Sequence, residues 1–375
     1  MTAGVPPPAA ATVSAPEDVG APLKLEHSLE NLEILRTLGT GTFGRVRLVR
    51  CRLTGRYLAL KALKKAEILR MRQERSVHNE KQILASLQHP FIVRMLTVFA
   101  DKQRVYLLME YVPGGELFKR LREAPGLRLG PAEARFYAAG VALALEYLHS
   151  SGVIYRDLKP ENLLLDAAGY IKLTDFGFAR ELDEHSRSFT VCGTTEYMAP
   201  EMVRGTSYGF AADWWSFGVL VFEMLCGYAP FLGPNSAQVY KRIMAGSYTC
   251  PAHVDPQARD LIRRLLTTTP AARLGSPPGG PRDILLHPFF AGFPWEDLLQ
   301  GRLPAPFVPA LSAPGDARHF NTYTESVDEG DGGTAMLPGA STTLGEEAFR
   351  DFAVSRLITE DAIRHFHQRM KQVNG

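Results

Sequence analysis

The segment that decides the fold reads Tyr155-Arg-Asp-Leu-Lys-Pro-Glu-Asn162, and Thr174-Asp-Phe-Gly177 follows it closely along the chain. Two further segments come next, Met198-Ala-Pro-Glu201 and Asp213-Trp-Trp215. Acidic, basic and amide side chains are concentrated in the first two segments. It is very improbable that all four segments would occur in this order by chance. They are therefore the main indicator of both the fold and the chemistry.

The part of the chain that precedes these segments is predicted to be rich in strands. Apolar and polar residues alternate in three places, as in half-buried strands: residues 45–49, 57–62 and 105–109. One helical pattern interrupts them at residues 74–87. The apolar residues that can share one face of this helix are Val77, Ile83, Leu84 and Leu87.

The chain after Tyr111 is predicted to be mainly helical. Helical patterns occur at residues 116–121, 132–149, 211–226, 256–267 and 281–287. The change of pattern lies between Glu110 and Gly115, where Pro-Gly-Gly breaks the periodicity. The sequence therefore predicts an α+β, two-lobed fold, with a small β-rich lobe that carries one key helix and a larger, mainly helical lobe.

These patterns divide the chain into five segments. They are an Ala/Pro-rich tail expected to be disordered at residues 1–28, a small lobe at 29–111, a large lobe at 112–290, a C-terminal tail at 291–353 and an extension of unknown role at 354–375. Residues 325–346 are expected to form a loose linker, and residues 354–372 one last amphipathic helix.

Composition excludes several classes of protein. The 375 residues carry 42 Lys and Arg against 40 Asp and Glu, a net charge of +2, which argues against a general nucleic-acid-binding surface. The 45% of hydrophobic residues is enough for a full core. The four cysteines have no metal-type spacing and are expected to be reduced thiols. No membrane span is predicted, and we expect a cytoplasmic location, with the nucleus as the alternative.

A glycine-rich segment, Gly39-Thr-Gly-Thr-Phe-Gly-Arg-Val46, is a candidate phosphate-binding loop. Glycines let a backbone approach phosphate oxygens and adopt positive φ angles without a clash. A plain tight hairpin is the alternative. A dinucleotide-binding loop is disfavoured, because it needs a helix directly after the glycines and an acid about 20 residues later, whereas a strand follows here and position 61 is a lysine.

Lys61 and Glu80 are candidates for the binding of a nucleotide. In a strand, Ala59 and Lys61 point to the same side, so that a small side chain next to a cation suits an adenine ring and its phosphates. Glu80 lies on the predicted helix and could pair with Lys61. Taken alone, each charge would more commonly be a solvated surface residue.

Taken together, the motifs quoted above resemble the protein-kinase signature set over residues 33–290. The resemblance implies a two-lobed kinase fold with ATP and Mg²⁺ in the cleft. It assigns catalysis to Asp157, Lys159 and Asn162, and the metal to Asn162 and Asp175. The residues it places around the nucleotide are Gly39, Thr40, Gly41, Thr42, Phe43, Gly44, Val46, Ala59, Lys61, Glu80, Met109, Glu110, Val112, Glu116, Leu164 and Asp175.

Three further motifs follow in the C-terminal part of the chain, namely Pro304-Ala-Pro-Phe-Val-Pro309, Phe320-Asn-Thr-Tyr323 and Phe349-Arg-Asp-Phe352. They resemble the tail of the AGC group of kinases. Within that group the chain is similar to the family of cAMP-dependent protein kinase catalytic subunits and their X-linked-kinase relatives, which Tyr111-Val-Pro-Gly-Gly-Glu-Leu-Phe118 and Pro314-Gly-Asp316 also fit. The resemblance implies that Phe320 and Tyr323 approach the nucleotide. It also implies that Phe349 and Phe352 fill an apolar groove beside the helix that carries Glu80.

The same resemblance implies a class of substrate and a set of partners. Glu116, Glu161, Glu196 and Glu223 match positions that line the peptide groove, where carboxylates would bind arginines, so basic Arg-Arg-x-Ser/Thr proteins are the expected substrates. Regulatory subunits that bind cAMP, a pseudosubstrate inhibitor and an upstream activating kinase are the further expected partners.

The resemblance also implies activation by phosphorylation of Thr190, with the phosphate paired to Arg156 and Arg180. A plain exposed threonine is the alternative. The chain departs from the family pattern at Thr195, where the family has proline, at Phe189, where it has tryptophan, and at Ala353, where many relatives carry a phosphorylatable residue.

Two other functions remain open at this point. A nucleotide-binding scaffold could act through the Phe349 and Phe352 region, although it would not need the complete set of charged residues. A tyrosine kinase is disfavoured by Lys159, which lies two residues after Asp157, as in serine/threonine kinases.

Overall fold

A computed structural model of the chain describes residues 28–182, 192–325 and 348–353. The predicted N-terminal tail up to residue 27, the linker from residue 326, the final helix at 354–372 and the activation site Thr190 lie outside the described residues.

The small lobe is built on one antiparallel sheet of five strands in the order β1-β2-β3-β5-β4. The strands are β1 (Leu32–Gly41), β2 (Gly44–Cys51), β3 (Tyr57–Lys64), β4 (Met95–Ala100) and β5 (Arg104–Glu110), and the helices are α1 (Lys65–Arg70) and α2 (Glu74–Ser86). In the pairing of β2 with β3, Val46 lies opposite Lys61, so both side chains point to the same face of the sheet. The four apolar residues predicted to share a face of the helix are all buried, which confirms that prediction.

The large lobe is mainly helical, as the sequence predicts. Its helices are α3 (Leu117–Glu123), α4 (Pro131–Ser150), α5 (Pro200–Val203), α6 (Ala211–Cys226), α7 (Ser236–Ala245), α8 (Pro256–Leu265), α9 (Pro281–Leu285) and α10 (Trp295–Leu299). Two small antiparallel pairs join β6 (Val153–Ile154) to β9 (Arg180–Glu181) and β7 (Leu163–Leu165) to β8 (Ile171–Leu173). Short 3₁₀ turns lie at Leu29–Asn31, Pro125–Leu127, Pro160–Asn162, Thr195–Tyr197, Pro270–Ala272 and Pro288–Phe290.

Local sequence signals explain where the long helices begin and end. Proline is the first residue of α4 and of α8, where its missing N–H costs no hydrogen bond. Helix α6 ends at Gly227, which has a φ of 85° and donates its N–H to the carbonyl of Glu223. Among the described residues, none of the helices combines the length and apolarity needed to cross a membrane.

The C-terminal tail crosses both lobes. Arg120 lies over the ring of Phe307 at 4.3 Å in the large lobe, and Tyr111 donates its hydroxyl to the carbonyl of Asp316 at 2.8 Å at the connection between the lobes. In the small lobe, Phe349 and Phe352 are buried beside α2, where the ring of His78 stacks on that of Phe349 at 5.5 Å. The tail therefore fills the groove beside the helix that carries Glu80, as the resemblance implied.

A buried ion pair joins α5 to the segment after α8. The Arg273 guanidinium donates to both carboxylate oxygens of Glu201, at 2.7 and 2.9 Å, and both side chains are at most 4% exposed. Two backbone carbonyls, those of Ala211 and Thr267, accept the remaining Arg273 hydrogen bonds. A charge in this position is tolerated only because its partner neutralises it.

We expect Glu201→Ala to lower the free energy of unfolding by about 3–5 kcal/mol, because it leaves the Arg273 charge buried without a counter-ion. Asp297→Ala is the matched control, because it removes one partner of the exposed Asp297–Arg302 pair and should cost less than about 1 kcal/mol. Urea unfolding of both variants measures the difference. Equal losses for the two variants would contradict the role given to burial.

Candidate active site

A cavity of about 640 Å³ lies between the two lobes. The turn between β1 and β2 lies above it, residues 110–112 lie behind it, and Asn162 and Asp175 lie below. All of the residues between Gly39 and Asp175 that the kinase motifs place around the nucleotide line this cavity. Phe320 lines it as well, but Tyr323, which was expected there, is absent from its lining among the described residues.

An ion pair between Lys61 and Glu80 joins the sheet to α2 inside the cavity. Lys61 Nζ donates to Glu80 Oε1 at 2.6 Å and to Asp175 Oδ1 at 3.4 Å. Burial acts to lower the pKa of Lys61, but the two carboxylates outweigh it and raise this pKa above its ordinary value. The positive charge of Lys61 is also the main cause that lowers the pKa of Asp175. Lys61 and Asp175 are therefore both charged at neutral pH, and a fixed cation faces the space where phosphates would lie.

Asp157 is the centre of a second cluster below the cavity, and its side chain is 3% exposed. Lys159 Nζ donates to Asp157 Oδ2 at 2.8 Å and to Thr194 Oγ1 at 3.1 Å. Asn162 Nδ2 donates to the carbonyl and to Oδ2 of Asp157, both at 2.8 Å. Because the N–H groups of Asn162 are used in this way, the amide oxygen is the atom it has left for a metal ion.

The backbone of the catalytic segments is held in an unusual conformation. Arg156 has a φ of 72° and Asp175 a φ of 56°, both in the left-handed region that side chains disfavour. The Asp213 carboxylate accepts hydrogen bonds from the backbone N–H groups of Tyr155 at 2.9 Å and Arg156 at 2.8 Å. The ring of Tyr155 contacts that of Phe176 at 5.3 Å. These contacts from α6 and from the core hold both strained residues in place.

The glycine-rich loop does not use the freedom of glycine to adopt positive φ angles, because none of Gly39, Gly41 and Gly44 has one. Gly44 is needed for a different reason, because a Cβ atom there would lie 1.8 Å from the carbonyl oxygen of Ala62 on β3. A Cβ at Gly39 would meet nothing within 4 Å, which leaves the loop open toward the cavity.

The residues of the cavity fit Mg²⁺ and ATP. Its upper wall is apolar, with Val46 and Ala59 facing the same side of the sheet, which suits an adenine ring. Its inner end presents the Lys61 cation and the oxygen atoms of Asp175 and Asn162. Mg²⁺ prefers one or two protein oxygens together with phosphate oxygens and water, and this donor set matches that preference.

The four predicted substrate-binding acids lie near one another. Burial, followed by the charge of Glu161, raises the pKa of Glu116. Burial also raises the pKa of Glu223, and Glu161 and Glu196 act in the same direction. Glu223 accepts a hydrogen bond from the Tyr197 hydroxyl at 2.6 Å and lies 3.4 Å from Arg122. The fold thus collects acids that are far apart in the sequence into one negative cluster, while their role stays a prediction.

Some residues of the site were not predicted. Leu38, Gln73 and Val93 also line the cavity. The position of Leu38 next to Gly39 at the end of a strand was a usable signal. Gln73 and Val93 lie in a connection and beside an isolated bridge, where periodicity carries no information.

The protein kinase domain family matches residues 32–290. The chain belongs to the protein kinase family. It is 45% identical over 300 residues to the human cAMP-dependent protein kinase catalytic subunit PRKX, covering 80% of this chain and 83% of that protein. It is 46% identical to cAMP-dependent protein kinase type 3 of Saccharomyces cerevisiae, covering 80% and 75%. A catalytic subunit of Dictyostelium discoideum is 44% identical, covering 85% of this chain and 48% of that protein.

Membership of this family decides between the functions left open by the sequence. The chain is a protein serine/threonine kinase, a transferase that uses ATP, and its α+β two-lobed fold is that of the family. Protein kinases in general use ATP together with Mg²⁺.

We expect Gly44→Ala to destabilise the small lobe by about 1–3 kcal/mol, because the added methyl group would overlap a carbonyl oxygen of β3. Gly39→Ala places the same methyl group in open space and should change the free energy of unfolding by less than about 1 kcal/mol. Chemical unfolding without nucleotide compares the two variants. A larger loss for Gly39→Ala would show that the loop differs from this description.

Proposed function

We propose that this kinase transfers the γ-phosphoryl group of Mg-ATP to serine or threonine in basic proteins of the Arg-Arg-x-Ser/Thr type. The observation that carries the proposal is the negative cluster around Glu161, only four residues along the chain from Asp157. A substrate whose arginines bind these acids would place its hydroxyl group next to Asp157.

The roles of the individual residues follow from the contacts around the cavity. ATP, when bound, supplies the transferred group, and Mg²⁺ neutralises part of its charge. Asp157 would accept a hydrogen bond from the substrate hydroxyl and orient it, and Lys159 would stabilise charge on the transferred group. Lys61 would bind the α- and β-phosphates, while Asn162 and Asp175 would hold the metal ion. Backbone N–H groups of residues 41–44 would cover the β- and γ-phosphates.

The acids would recognise arginine by charge-assisted hydrogen bonds. A guanidinium group presents paired donors to a carboxylate, which is both stronger and more directional than a contact with lysine. Glu223 is buried, Glu161 and Glu196 are half-buried, and Glu116 is exposed. The charge of Glu161 contributes to the raised pKa of both Glu116 and Glu223, so the acids repel one another. An incoming cation would relieve this repulsion, which favours binding of a basic peptide.

The proposed partners follow from the relatives. Several of them are named as catalytic subunits of cAMP-dependent protein kinase, which supports regulatory subunits and a pseudosubstrate inhibitor as partners of this chain. Tyr240 on α7, partly buried against the core, remains a candidate for their docking surface. Phosphorylation of Thr190 by an upstream kinase, and a cytoplasmic location with the nucleus as the alternative, belong to the same proposal.

We expect Asp157→Ala to lower kcat on a basic serine peptide by about 10²–10⁴-fold, the range typical of a lost general base, while the Kd for ATP changes little. Radiolabelled phosphate transfer and isothermal titration with Mg-ATP measure the two quantities. Asp297→Ala, an exposed acid far along the chain in α10, is the control and should keep full activity. Unchanged transfer by Asp157→Ala would remove this residue from the catalytic group.

We expect Glu161→Gln and Glu223→Gln each to raise KM for an Arg-Arg-x-Ser peptide about tenfold or more, as loss of a charged hydrogen bond would. Glutamine at position 223 keeps an acceptor for Tyr197, so the fold is preserved. Glu123→Gln, an exposed acid on α3, is the matched control. The measurement is initial-rate kinetics with peptides that carry or lack the arginines.

The same kinetics at lower pH test the charge of the cluster. Because the pKa values of Glu116 and Glu223 are raised, these groups take up protons at a higher pH than exposed glutamates do. KM for the arginine peptide should therefore rise as the solution is made mildly acidic, and KM for a peptide without arginine should not. Parallel behaviour of the two peptides would contradict the assignment.

A further inference from the structure

The last described part of the tail before residue 326 runs along the outer edge of the small-lobe sheet. Phe320 lines the cavity, and its ring lies 6.0 Å from that of Tyr111. One residue later, Arg36 Nη2 donates to the carbonyl of Asn321 at 2.9 Å. Residues 320–325 therefore leave the cavity and follow β1, which is an edge strand.

The segment ends in Glu325, whose carboxylate is hydrogen-bonded to the sheet. Glu325 Oε1 accepts the backbone N–H of Thr37 at 2.5 Å, and Glu325 Oε2 accepts the Thr37 hydroxyl at 2.9 Å. Arg47 Nη1 on β2 lies 3.3 Å from the same Oε2. Arg45 Nη1 donates to the carbonyl of Thr324 at 3.3 Å. Two adjacent strands are thus tied to the tail at one point.

Thr37 occupies a sensitive position in β1. It is fully buried, and the next two residues, Leu38 and Gly39, both line the cavity. The register between β1 and β2 shifts between Thr37 and Gly39, which marks a bulge. Because the ladder is irregular there, the path of the chain into the glycine-rich loop depends on further contacts, and Glu325 supplies two of them.

The charge of Glu325 strengthens these contacts. The hydrogen bond from the Thr37 N–H is the main cause that lowers the pKa of Glu325, and the nearby Arg47 and Arg45 act in the same direction. The carboxylate is therefore ionised at neutral pH, and its side chain, which is 42% exposed, stays in contact with water. Hydrogen bonds to an ionised acceptor are stronger than neutral ones.

We infer that Glu325 is a positioning residue for the nucleotide, which holds β1 at Thr37 and so sets the place of Leu38 and Gly39 above the cavity. The inference rests on the proposed function, because it takes the cavity to be the ATP site. Neither Glu325 nor Thr37 lines the cavity, so the effect passes through the backbone of β1.

The test is the affinity of the full chain for ATP with Mg²⁺, measured by isothermal titration together with steady-state kinetics. Glu325→Ala should raise Kd and KM for ATP about three- to tenfold, the range of the net contribution of one ordinary hydrogen bond, because the effect reaches the nucleotide only through the backbone of β1. Its kcat and its KM for peptide should stay within about twofold, since the catalytic groups are untouched. Glu325→Gln, which keeps one acceptor for the Thr37 N–H, should show a smaller increase. Glu30→Ala, an exposed acid just before β1, is the matched control and should bind ATP normally.

A second variant separates positioning from a general loss of structure. Thr37→Val removes the hydroxyl but keeps the backbone N–H, and it should raise Kd less than Glu325→Ala does. The double variant should bind ATP no more weakly than Glu325→Ala alone, because the hydroxyl acts through the carboxylate. Unchanged Kd for Glu325→Ala, or fully additive effects, would overturn the inference while leaving the proposed function intact. Failure of the unmodified chain to bind Mg-ATP would instead contradict both.

Discussion

The contact between Lys61 and Glu80 is the constraint on which the rest of the site depends. It joins β3 to α2 inside the cleft, with 2.6 Å between Lys61 Nζ and Glu80 Oε1. Asp175 of the large lobe approaches the same ammonium group. A lysine in this position stays charged only because two carboxylates offset the cost of burial. The orientation of α2 is therefore part of the site. The tail adds a second contact to this helix, since Phe349 and Phe352 both pack against the ring of His78 on α2.

The large lobe supplies a second, independent support. Asp213 on α6 accepts two backbone N–H groups of the catalytic segment and also contacts His149 on α4 at 2.8 Å. One buried carboxylate thus couples helices α4 and α6 to the strained residue Arg156. Strain of this kind persists only where the surrounding structure holds it. The small lobe positions a cation through its ion pair with a helix, whereas the large lobe positions the catalytic segment through a buried carboxylate in its core.

Much of this arrangement could be predicted from the residues. The predicted strands and helices were assigned to the correct type, because long periodic segments such as residues 211–226 carry a strong pattern of buried apolar residues. Ends of elements were less accurate, as for α3, since frayed ends depend on tertiary contacts. The positive φ angles at Arg156 and Asp175 were not predicted. Backbone conformation at such points follows from contacts with distant residues, which no local pattern reports.

The order and spacing of the motifs, read alone, determined the kinase family, the two-lobed architecture and the identity of the charged residues in the cleft. The chemical character of each side chain depends only on residue type, so it can be read directly from the sequence. Only the tertiary structure decided that Gly44 is required by packing against β3 and that Glu325 reaches Thr37 across the sheet edge. These facts depend on distances between residues that are up to 288 positions apart, and such distances arise only when the core closes.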